Sequence, residues 1–478
     1  MITREEILTV YAEGPEAVVA LVEGLLATQA AAVVALTKRI QALEDQIAKD
    51  SHNSHLPPSR DLPPKPKSLR RPSGRTAGGQ AGHPGTTLAW STDPDHTVVH
   101  QPMTCAGCGA TLDERTVVGQ VRRQVVDLPP LRLETTEHVA ERRRCAACGQ
   151  VTQAAFPMEA RGRVRYGPRL RGVAVYLHAY QLLPFARIQE LLADLCGGSV
   201  SAGTVATAVA DCDAALATTE TAIQQALHHV PVAHFDETGL RVAGKQQWVH
   251  VASTDQWTHY HVHPRRGAVG MEAAGVLPGF RGVAVHDGLP GYRTFACGHA
   301  LCNVHHLREL TFIAEQYQQA WAADGKALLQ ELHATVTTAR AAGQDHLAPS
   351  RVIQAHQRYR ALARAGLAAN PPQPKAPGAP GPPKRSPGGK LAERLGRYET
   401  EALCFLQDFR VPFDNNQAER DLRMVKVRQK ISGGFRTALG AAQFARLRGY
   451  VSTARKQGHS PLTALQAACA GTPLVLTT

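Results

Sequence analysis

The sequence predicts a multidomain α/β protein built around one mixed β-sheet. Its central part contains three consecutive runs with the composition of strands, VPVAHFDETGL, QQWVHVASTD and WTHYHVHP. A helical stretch at 269–277 and two further strand patterns, GVAVHDGLPGY and HALCNV, follow them. Three strands in succession and then alternating helix and strand describe a ribonuclease-H-like mixed sheet.

Length and charge limit the function classes. The chain has 478 residues, far more than one typical domain, and 53 Lys and Arg against 40 Asp and Glu. This basic balance suits a polyanionic partner such as DNA. The start MITREEILTV lacks the features of a signal peptide, and no run of about eighteen uninterrupted apolar residues occurs. We therefore expect a cytoplasmic protein without a membrane partner, whose ten cysteines are metal ligands or buried thiols.

Residues 1–50 carry a heptad pattern. Apolar residues recur with the 3-4 spacing of a coiled-coil seam, with one polar interruption. The pattern predicts a dimerisation helix and hence a homo-oligomer, although a single amphipathic helix packed on its own protein remains the alternative. The two seam positions are Val19, Leu26, Val33, Ile40 and Ile47, and Val22, Gln29, Leu36 and Leu43.

Residues 51–90 have the composition of a flexible, basic linker. They are rich in Pro, Gly and Ser, and residues 51–88 contain six Lys or Arg against one acidic residue. Such a segment either follows DNA phosphates or serves as a solvated tether, and the sequence does not decide between the two.

Two Cys-x2-Cys pairs define a small domain over residues 91–160. Thirty-six residues that read as strands and turns separate the pairs. Four thiolates in this arrangement fit a closed tetrahedral site, which predicts a structural Zn²⁺. Its ligands would be Cys105, Cys108, Cys145 and Cys148.

Residues 161–228 change to a helical period. The stretch FARIQELLADLCGGSVSAGTVATAVADC reads as two helices around a Gly197-Gly198 turn, the outline of a helix-turn-helix. Ordinary helical hairpins share that outline, and the second helix is rich in alanine. Binding of DNA by residues 186–210 and packing in a core therefore both stay open.

Three carboxylates mark the expected active site. Asp236 and Asp287 lie at the ends of strand patterns, and Glu419 opens a basic helix. On a mixed sheet the two aspartates would lie on neighbouring strands, so all three carboxylates can meet in one pocket that binds two Mg²⁺ or Mn²⁺ ions. The catalytic core is then 229–303 and 412–455, interrupted by a helical insertion at 304–411 with a disordered loop at 370–390 and followed by a C-terminal segment at 456–478.

The helix that begins near Glu419 is strongly basic. Residues 415–460 contain ten Lys or Arg and two acidic residues, which predicts a surface that faces DNA. Of the neighbouring acidic residues, Glu237 would point to the opposite face of its strand, and Asp414 is expected to be the N-cap of the helix. The candidate DNA-binding residues are Arg423, Lys426, Arg428 and Lys430.

These motifs together resemble a known family. The segments DET, HDGLPGY and DNNQAER, the N-terminal zipper, SHNSHLPPSRD, GGQAGHPG and the paired knuckles are similar to transposases of bacterial insertion sequences of the IS sixty-six type. The likeness extends from about Leu21 to the C-terminus. Cys302 and His305 resemble the Cys-x2-His signature that lies beside the active site in several DDE groups. The proline-rich loop of the insertion is longer than the family pattern suggests.

The resemblance implies a DDE transposase that acts in the bacterial nucleoid. Asp236, Asp287 and Glu419 would be its metal-binding triad, and Cys302 and His305 would support them. The same carboxylates would serve cleavage at the transposon ends and transfer of the 3′-hydroxyl into target DNA, with accessory transposition proteins as expected partners. Two alternatives stay open: a two-metal nuclease or resolvase without strand transfer, and a zinc-dependent DNA-binding protein without catalysis.

Overall fold

The computed structural model describes residues 3–50, 52–54, 88–113, 117–157, 160, 162–198, 200–372 and 383–477. Most of the expected linker 51–90 lies outside these residues. The described helices and strands are α1 (Arg4–Ala12), α2 (Pro15–Ala48), β1 (Arg142–Arg144), β2 (Val151–Gln153), α3 (Pro168–Ala179), α4 (Phe185–Cys196), α5 (Ala202–Ala215), α6 (Ala217–His229), β3 (Val232–Val242), β4 (Lys245–Ser253), β5 (Thr258–His263), α7 (Ala268–Ala273), β6 (Val283–His286), β7 (Gly298–Leu301), α8 (Asn303–Tyr317), α9 (Ala320–Ala341), α10 (Pro349–Ala369), α11 (Pro387–Arg397), α12 (Glu399–Leu403), α13 (Asn416–Ser432), α14 (Ala438–Lys456) and α15 (Pro461–Cys469).

The chain divides into two compact units. The larger unit comprises Met1–Pro66, His138–Glu190 and Val200–Thr478, and the smaller unit comprises Lys67–Glu137 and Leu191–Ser199. The expected zinc-binding region 91–160 is therefore divided between them. The β-sheet of the central region and the three candidate carboxylates belong to the larger unit.

The central sheet has five strands in the order β5-β4-β3-β6-β7. The first three form an antiparallel meander, whereas β3 pairs with β6 and β6 pairs with β7 in parallel. The five strand patterns in the sequence correspond to these strands. Because β3 pairs with β6 through His234 and Val285, Asp236 and Asp287 each follow that pair by two residues.

Alternation along β3 gives each face of the sheet its own core. Leu240 and Val242 join a cluster with residues of α13 and α14. Ala233 and Phe235 join a second cluster with residues of α6, α7 and the turn around Tyr292. Successive side chains of a strand point to opposite faces, so Asp236 shares the face of α13 and Glu237 shares the face of Tyr292.

Helices α8 to α12 fill the span between β7 and α13, where the sequence predicts a helical insertion. Their buried side chains form a cluster of their own with residues of β6 and β7. The expected disordered loop at 370–390 is wrong at its end, because α11 begins at Pro387. Ser386 caps that helix by accepting from Gly389 N, and both Gly388 and Gly389 are buried against Asn370. Residues 373–382 of this loop lie outside the described residues.

The N-terminal helix α2 is 34 residues long and has no buried residue. The two seam positions of its heptads are occupied mostly by exposed apolar side chains, such as Leu26 at 60% and Leu36 at 63% exposure. By length and composition alone this helix is also apolar enough to cross a membrane, a test that core helices and signal sequences pass as well. The expected dimerisation stays a prediction, which the molar mass in solution would test.

The four helices α3 to α6 occupy the region where the sequence suggests a helix-turn-helix. Ser201 caps α5 by accepting from Thr204 N. The inner face of α5, with Val205, Val209 and Cys212, is buried, and most of it joins a cluster formed with α3, α14 and α15. This burial favours a packing role for that face of α5.

A buried asparagine fastens α13 to the sheet. Asn415 precedes the helix and is 1% exposed. Its amide Nδ2 donates to Phe235 O at 2.8 Å, and its Oδ1 accepts from His234 Nδ1 at 2.9 Å. Its backbone N–H donates to Cys302 Sγ at 3.2 Å. Three segments that are distant in sequence therefore meet at this one residue.

The expectation that Asp414 is the N-cap of this helix is wrong. The N-cap is Asn415, and its side chain makes no capping bond because it is turned into the sheet. Asp414 instead accepts from Asn416 N at 3.0 Å. The position of the helix is thus set by contacts with the core and not by local capping.

We expect Asn415→Ala to destabilise the larger unit, because Phe235 O and His234 would lose buried partners at a cost of about 1–3 kcal/mol each. The exposed neighbour provides a matched control, Asn416→Ala. Thermal unfolding should show a lower apparent melting temperature for the first variant and little change for the second. Equal melting temperatures for both variants would contradict the assigned role.

Candidate active site

Asp236 and Asp287 meet beside the end of β6. The ligand oxygens of Asp236, Glu237 and Asp287 lie within 4.8 Å of one another. Backbone amides hold one oxygen of each aspartate: Glu237 N donates to Asp236 Oδ1 at 2.8 Å, and Leu289 N donates to Asp287 Oδ1 at 3.0 Å. Gly288, with φ of +92°, provides the left-handed turn that carries the chain away from the sheet here.

The surroundings of Asp236 disfavour the charged form of its carboxyl group. Burial raises the pKa of Asp236 well above its ordinary range, and the nearby carboxylates of Glu237 and Asp287 raise that pKa further. Burial and then Asp287 also raise the pKa of Glu237. Negative charges at this spacing repel one another in a buried site, and a divalent cation would relieve that repulsion.

Glu419 reaches the same region from α13, but it belongs to a second group. Its carboxylate lies within 4.8 Å of the ligand atoms of Cys302 and His305. The charge of Glu419 also contributes to the raised pKa of Asp236, so the two carboxylates interact electrostatically. The three residues of the expected triad are thus gathered at one end of the sheet, with Glu419 on the side of α8.

Glu419 Oε1 is buried and has no hydrogen-bond partner among the described residues. Buried carboxylate oxygens are nearly always paired, so such an atom calls for an explanation. Oxygen ligands from carboxylates are the set that Mg²⁺ and Mn²⁺ prefer. The chemistry of the side chains present therefore fits a divalent cation at this end of the sheet.

Cys302 and His305 lie close to Glu419, and their expected supporting role stays a prediction. Cys302 is buried, and burial raises the pKa of its thiol to about 12. Its sulfur accepts the backbone N–H of Asn415 at 3.2 Å, which links the start of α8 to the start of α13. Cys302 is therefore a neutral thiol whose sulfur contacts the backbone at the start of α13.

Glu237, which the sequence pattern set aside, and Arg266, which no sequence pattern identified, both lie at the site. Glu237 lies on the opposite face of β3, as expected, yet its carboxylate still approaches both aspartates. Arg266 follows β5 and contacts both Glu237 and Asp287. The sequence around Arg266, HPRR, carries no recognisable motif. Only the folded structure shows that Arg266 lies at the site.

The expected DNA-binding residues of α13 differ in their surroundings. Arg423 and Lys430 are exposed, and Lys426 is exposed but donates from Nζ to Gly239 O at 2.9 Å. Arg428 is only 7% exposed, and its guanidinium lies 3.7 Å from the centre of the Phe435 ring. The assignment of Arg428 to a DNA-facing surface is wrong, because its side chain packs in the core on the inner face of α13.

The two cysteine pairs adopt the same local fold, each within its own unit. Cys105 and Cys108 lie in the smaller unit, and Cys145 and Cys148 lie in the larger one, between β1 and β2. Hydrogen bonds from the backbone N–H groups of Cys108 and Cys148 lower the pKa of the Cys105 and Cys145 thiols. In each pair, amides and carbonyls close the same turn: Cys105 N to Ala110 O and Gly109 N to Cys105 O, and Cys145 N to Gln150 O and Gly149 N to Cys145 O, at 2.8–2.9 Å.

The chain matches the models of three protein families. Residues 163–443 of the chain, which contain the sheet and the carboxylate site, match the family model described as Transposase IS66 family. The model of the zinc-finger binding domain of transposase IS66 matches residues 102–149, and a family of unknown function matches residues 11–89. No curated protein matches the chain.

The chain belongs to the Transposase IS66 family, because the matching model covers more than half of it. The resemblance read from the motifs is confirmed, as is the presence of a zinc-finger region. The family makes this protein a transposase, an enzyme that acts on DNA.

The raised pKa of Asp236 leads to a test of the site. Without a metal, in EDTA, the raised pKa of Asp236 stabilises the folded state at low pH. This contribution to the free energy of unfolding is lost as the pH rises through that pKa. We therefore expect Asp236→Asn to raise the apparent melting temperature at pH 8 by at least about 2 °C, and to leave it nearly unchanged in acid. Mn²⁺ should stabilise the wild type and not the variant.

The control for this test is Asp324→Asn, an exposed position on α9. It should melt like the wild type at each pH, with and without Mn²⁺. A lower melting temperature for Asp236→Asn at pH 8 in EDTA would contradict the electrostatic account.

Proposed function

We propose that this transposase is a DDE enzyme that cleaves the phosphodiester at the transposon ends and transfers the 3′-hydroxyl into target DNA. The observation that supports this most directly is the gathering of Asp236, Asp287 and Glu419 at one end of the sheet, with a buried oxygen of Glu419 that has no partner within the described part of the chain. Carboxylates with this arrangement are the donors that two-metal phosphoryl transfer requires.

A ribonuclease-H-like core is part of the proposal. The strand order β5-β4-β3-β6-β7, with an antiparallel meander and two parallel additions, is the topology that the sequence predicts for such a core. The catalytic core would comprise 229–303 and 412–455, and helices α8 to α12 would be an insertion between its last strand and its last helices.

Different contacts hold each residue of the proposed triad in place. The backbone holds Asp236 and Asp287 through Glu237 N and Leu289 N, which orients their carboxylates. Glu419 follows Asn415 by about one helical turn, so the buried contacts of Asn415 set its depth. Bound Mg²⁺ or Mn²⁺ would lower the pKa of a water and stabilise charge on the oxygens that enter and leave.

DNA would be bound by exposed cations of α13. Arg423 and Lys430 are exposed on the helix that carries Glu419, and Arg420 is exposed one residue after it. Such side chains neutralise phosphates and position the duplex without reading its sequence. Lys426 is placed less freely because its Nζ already donates to Gly239 O.

The four knuckle cysteines are proposed as ligands of a structural Zn²⁺. Their support is the shared turn geometry and the lowered pKa of Cys105 and Cys145, since a thiolate is the form that binds zinc. The positive φ of Gly109 and Gly149, +76° and +71°, allows each turn to close behind its second cysteine.

The cleavage proposal is tested on duplex DNA carrying the terminal sequences that flank the gene. We expect the wild type with Mg²⁺ to cut these ends and join them to a second DNA, and Asp287→Asn to lose cleavage by at least about 10²-fold while still binding the ends. Asp324→Asn serves as the matched control and should keep full activity. Product sizes on a sequencing gel report both steps.

The outcomes separate the candidate functions. Cleavage without joining would indicate a two-metal nuclease or resolvase, and undiminished function in Asp287→Asn would indicate a DNA-binding protein without catalysis. If the wild type binds ends but does not cut them, the triad assignment is overturned unless added accessory proteins restore cleavage.

Zinc content tests the knuckles independently. We expect stoichiometric zinc in the purified wild-type chain, and its loss in Cys105→Ser and in Cys145→Ser because each change removes one of four thiolates. Cys196→Ser is the control, since that half-buried thiol lies outside both pairs. Mass spectrometry of the metal reports the result, and retention of full zinc in either knuckle variant would refute the assignment.

A further inference from the structure

A network of hydrogen bonds and ion pairs reaches the carboxylates of Asp236, Glu237 and Asp287 from the face of the sheet opposite to α13. Its centre is Glu237, whose side chain is fully buried at 0% exposure. Tyr292 Oη donates to Glu237 Oε2 at 2.7 Å, and Arg266 Nε donates to Glu237 Oε1 at 2.8 Å. Each carboxylate oxygen of Glu237 therefore already has a donor from the protein.

The tyrosine in this network is firmly placed. Tyr292 is 1% exposed, and its ring stacks on His286 with a centroid distance of 4.4 Å. Burial raises the pKa of Tyr292 well above its ordinary range, so the hydroxyl stays a neutral donor at working pH. Its bond fixes one end of the Glu237 carboxylate and leaves the other end for Arg266.

Arg266 connects this buried anchor to the site. Its side chain is 42% exposed, and its Nη2 lies 3.7 Å from Asp287 Oδ2. The guanidinium also lies 5.0 Å from the centre of the Trp248 ring, which limits its movement on one side. Because Nε is occupied by Glu237, the terminal nitrogens are the part of the fork that extends toward Asp287.

The loop that carries Arg266 is held by the close approach of α7. A Cβ atom at Gly270 would lie 2.1 Å from Arg265 O and 2.6 Å from His250 Nε2, so only glycine fits. His250 Nε2 also contacts Arg265 O at 3.1 Å. The backbone next to Arg266 is therefore pinned, and the placement of this arginine beside Asp287 is built into the fold.

We propose that Arg266 contacts the DNA phosphate at which the chain cuts, and that Glu237 is a positioning residue for Arg266 and not a metal ligand. This inference rests on the proposed function, because it assigns substrate to the same carboxylate site. A planar guanidinium matches two phosphate oxygens, and a partly exposed arginine beside the site can reach a phosphate that no buried residue could.

The contacts of Glu237 argue against its use as a metal ligand. Binding a cation would require it to release the donors from Tyr292 and Arg266, and a buried Tyr hydroxyl without a partner is costly. The contact between Arg266 and Asp287 is longer than a hydrogen bond at 3.7 Å. Asp287 can therefore turn to a cation while Arg266 keeps its anchor and offers its terminal nitrogens to the phosphate.

Three measurements on the full-length chain test the proposal: the affinity for Mn²⁺ by paramagnetic resonance, the salt dependence of DNA binding, and the rate of Mg²⁺-dependent cleavage. The DNA is the duplex carrying the terminal sequences that flank the gene. The variants are Arg266→Ala, Arg266→Lys, Glu237→Gln and Asp287→Asn. Arg265→Ala is the matched control, because it removes an equal charge from an exposed neighbouring residue.

We expect Arg266→Ala to keep the Mn²⁺ affinity, to reduce the slope of log affinity against log salt by about one, and to slow cleavage by about 10²-fold. Arg266→Lys should restore the slope but only part of the rate, because a single ammonium replaces the fork. Glu237→Gln should slow cleavage by about tenfold with unchanged Mn²⁺ affinity. Arg265→Ala should cleave like the wild type.

The outcomes distinguish the two levels of inference. A Glu237→Gln variant that loses Mn²⁺ affinity as far as Asp287→Asn would make Glu237 a ligand and overturn the proposal. Wild-type cleavage by Arg266→Ala, or an equal loss in Arg265→Ala, would also overturn it. If Asp287→Asn binds Mn²⁺ and cleaves as well as the wild type, the proposed function itself fails, whatever the Arg266 variants do.

Discussion

The buried amide of Asn415 is the contact on which the geometry of the site depends. It joins Phe235 O and His234 on the central strand to the backbone that opens α13, while its own N–H meets the sulfur of Cys302. The bonds to Phe235 O and Cys302 are buried and the bond to His234 is partly buried, so breaking one leaves a polar group without its partner. Together with the apolar side chains of α13 that pack on the sheet, these bonds hold the start of the helix that carries Glu419.

The sheet supplies the second constraint, because its two faces perform different tasks. Parallel pairing of β3 with β6 ends just before the two aspartates, where the turn at Gly288 leads the chain away. Asp236 faces α13, whereas Glu237 faces the cluster that contains Tyr292. One face therefore presents the carboxylates to Glu419, and the other face holds Arg266 beside Asp287.

The concentration of acidic groups has an energetic cost that the fold offsets elsewhere. Burial and neighbouring carboxylates raise the pKa of Asp236, which means that its charged form is disfavoured without a counter-charge. Arg266 supplies part of that charge from the rim of the cluster. The separate apolar clusters around the sheet and within α8 to α12 provide the stability that tolerates such a site.

Local patterns carried much of the information. The five strands along the chain follow from alternation and β-branched composition, and the helices between β7 and α13 follow from the helical period between HALCNV and DNNQAER. The same patterns singled out Asp236, Asp287 and Glu419, and the family membership was readable from the motifs around them. Local patterns also gave a wrong prediction: Arg428 lies on a basic helix and was expected to face DNA, but its side chain is buried against Phe435.

The sequence by itself thus determined the strands of the central sheet and the family, and it singled out the candidate acidic residues, because periodicity and motif spacing are local properties of a chain. Only the tertiary structure decided that Asn415 fastens α13 and that Arg266 reaches Asp287. These contacts join segments far apart in sequence. No local pattern encodes them, because they depend on which faces of separate elements the packed core brings together.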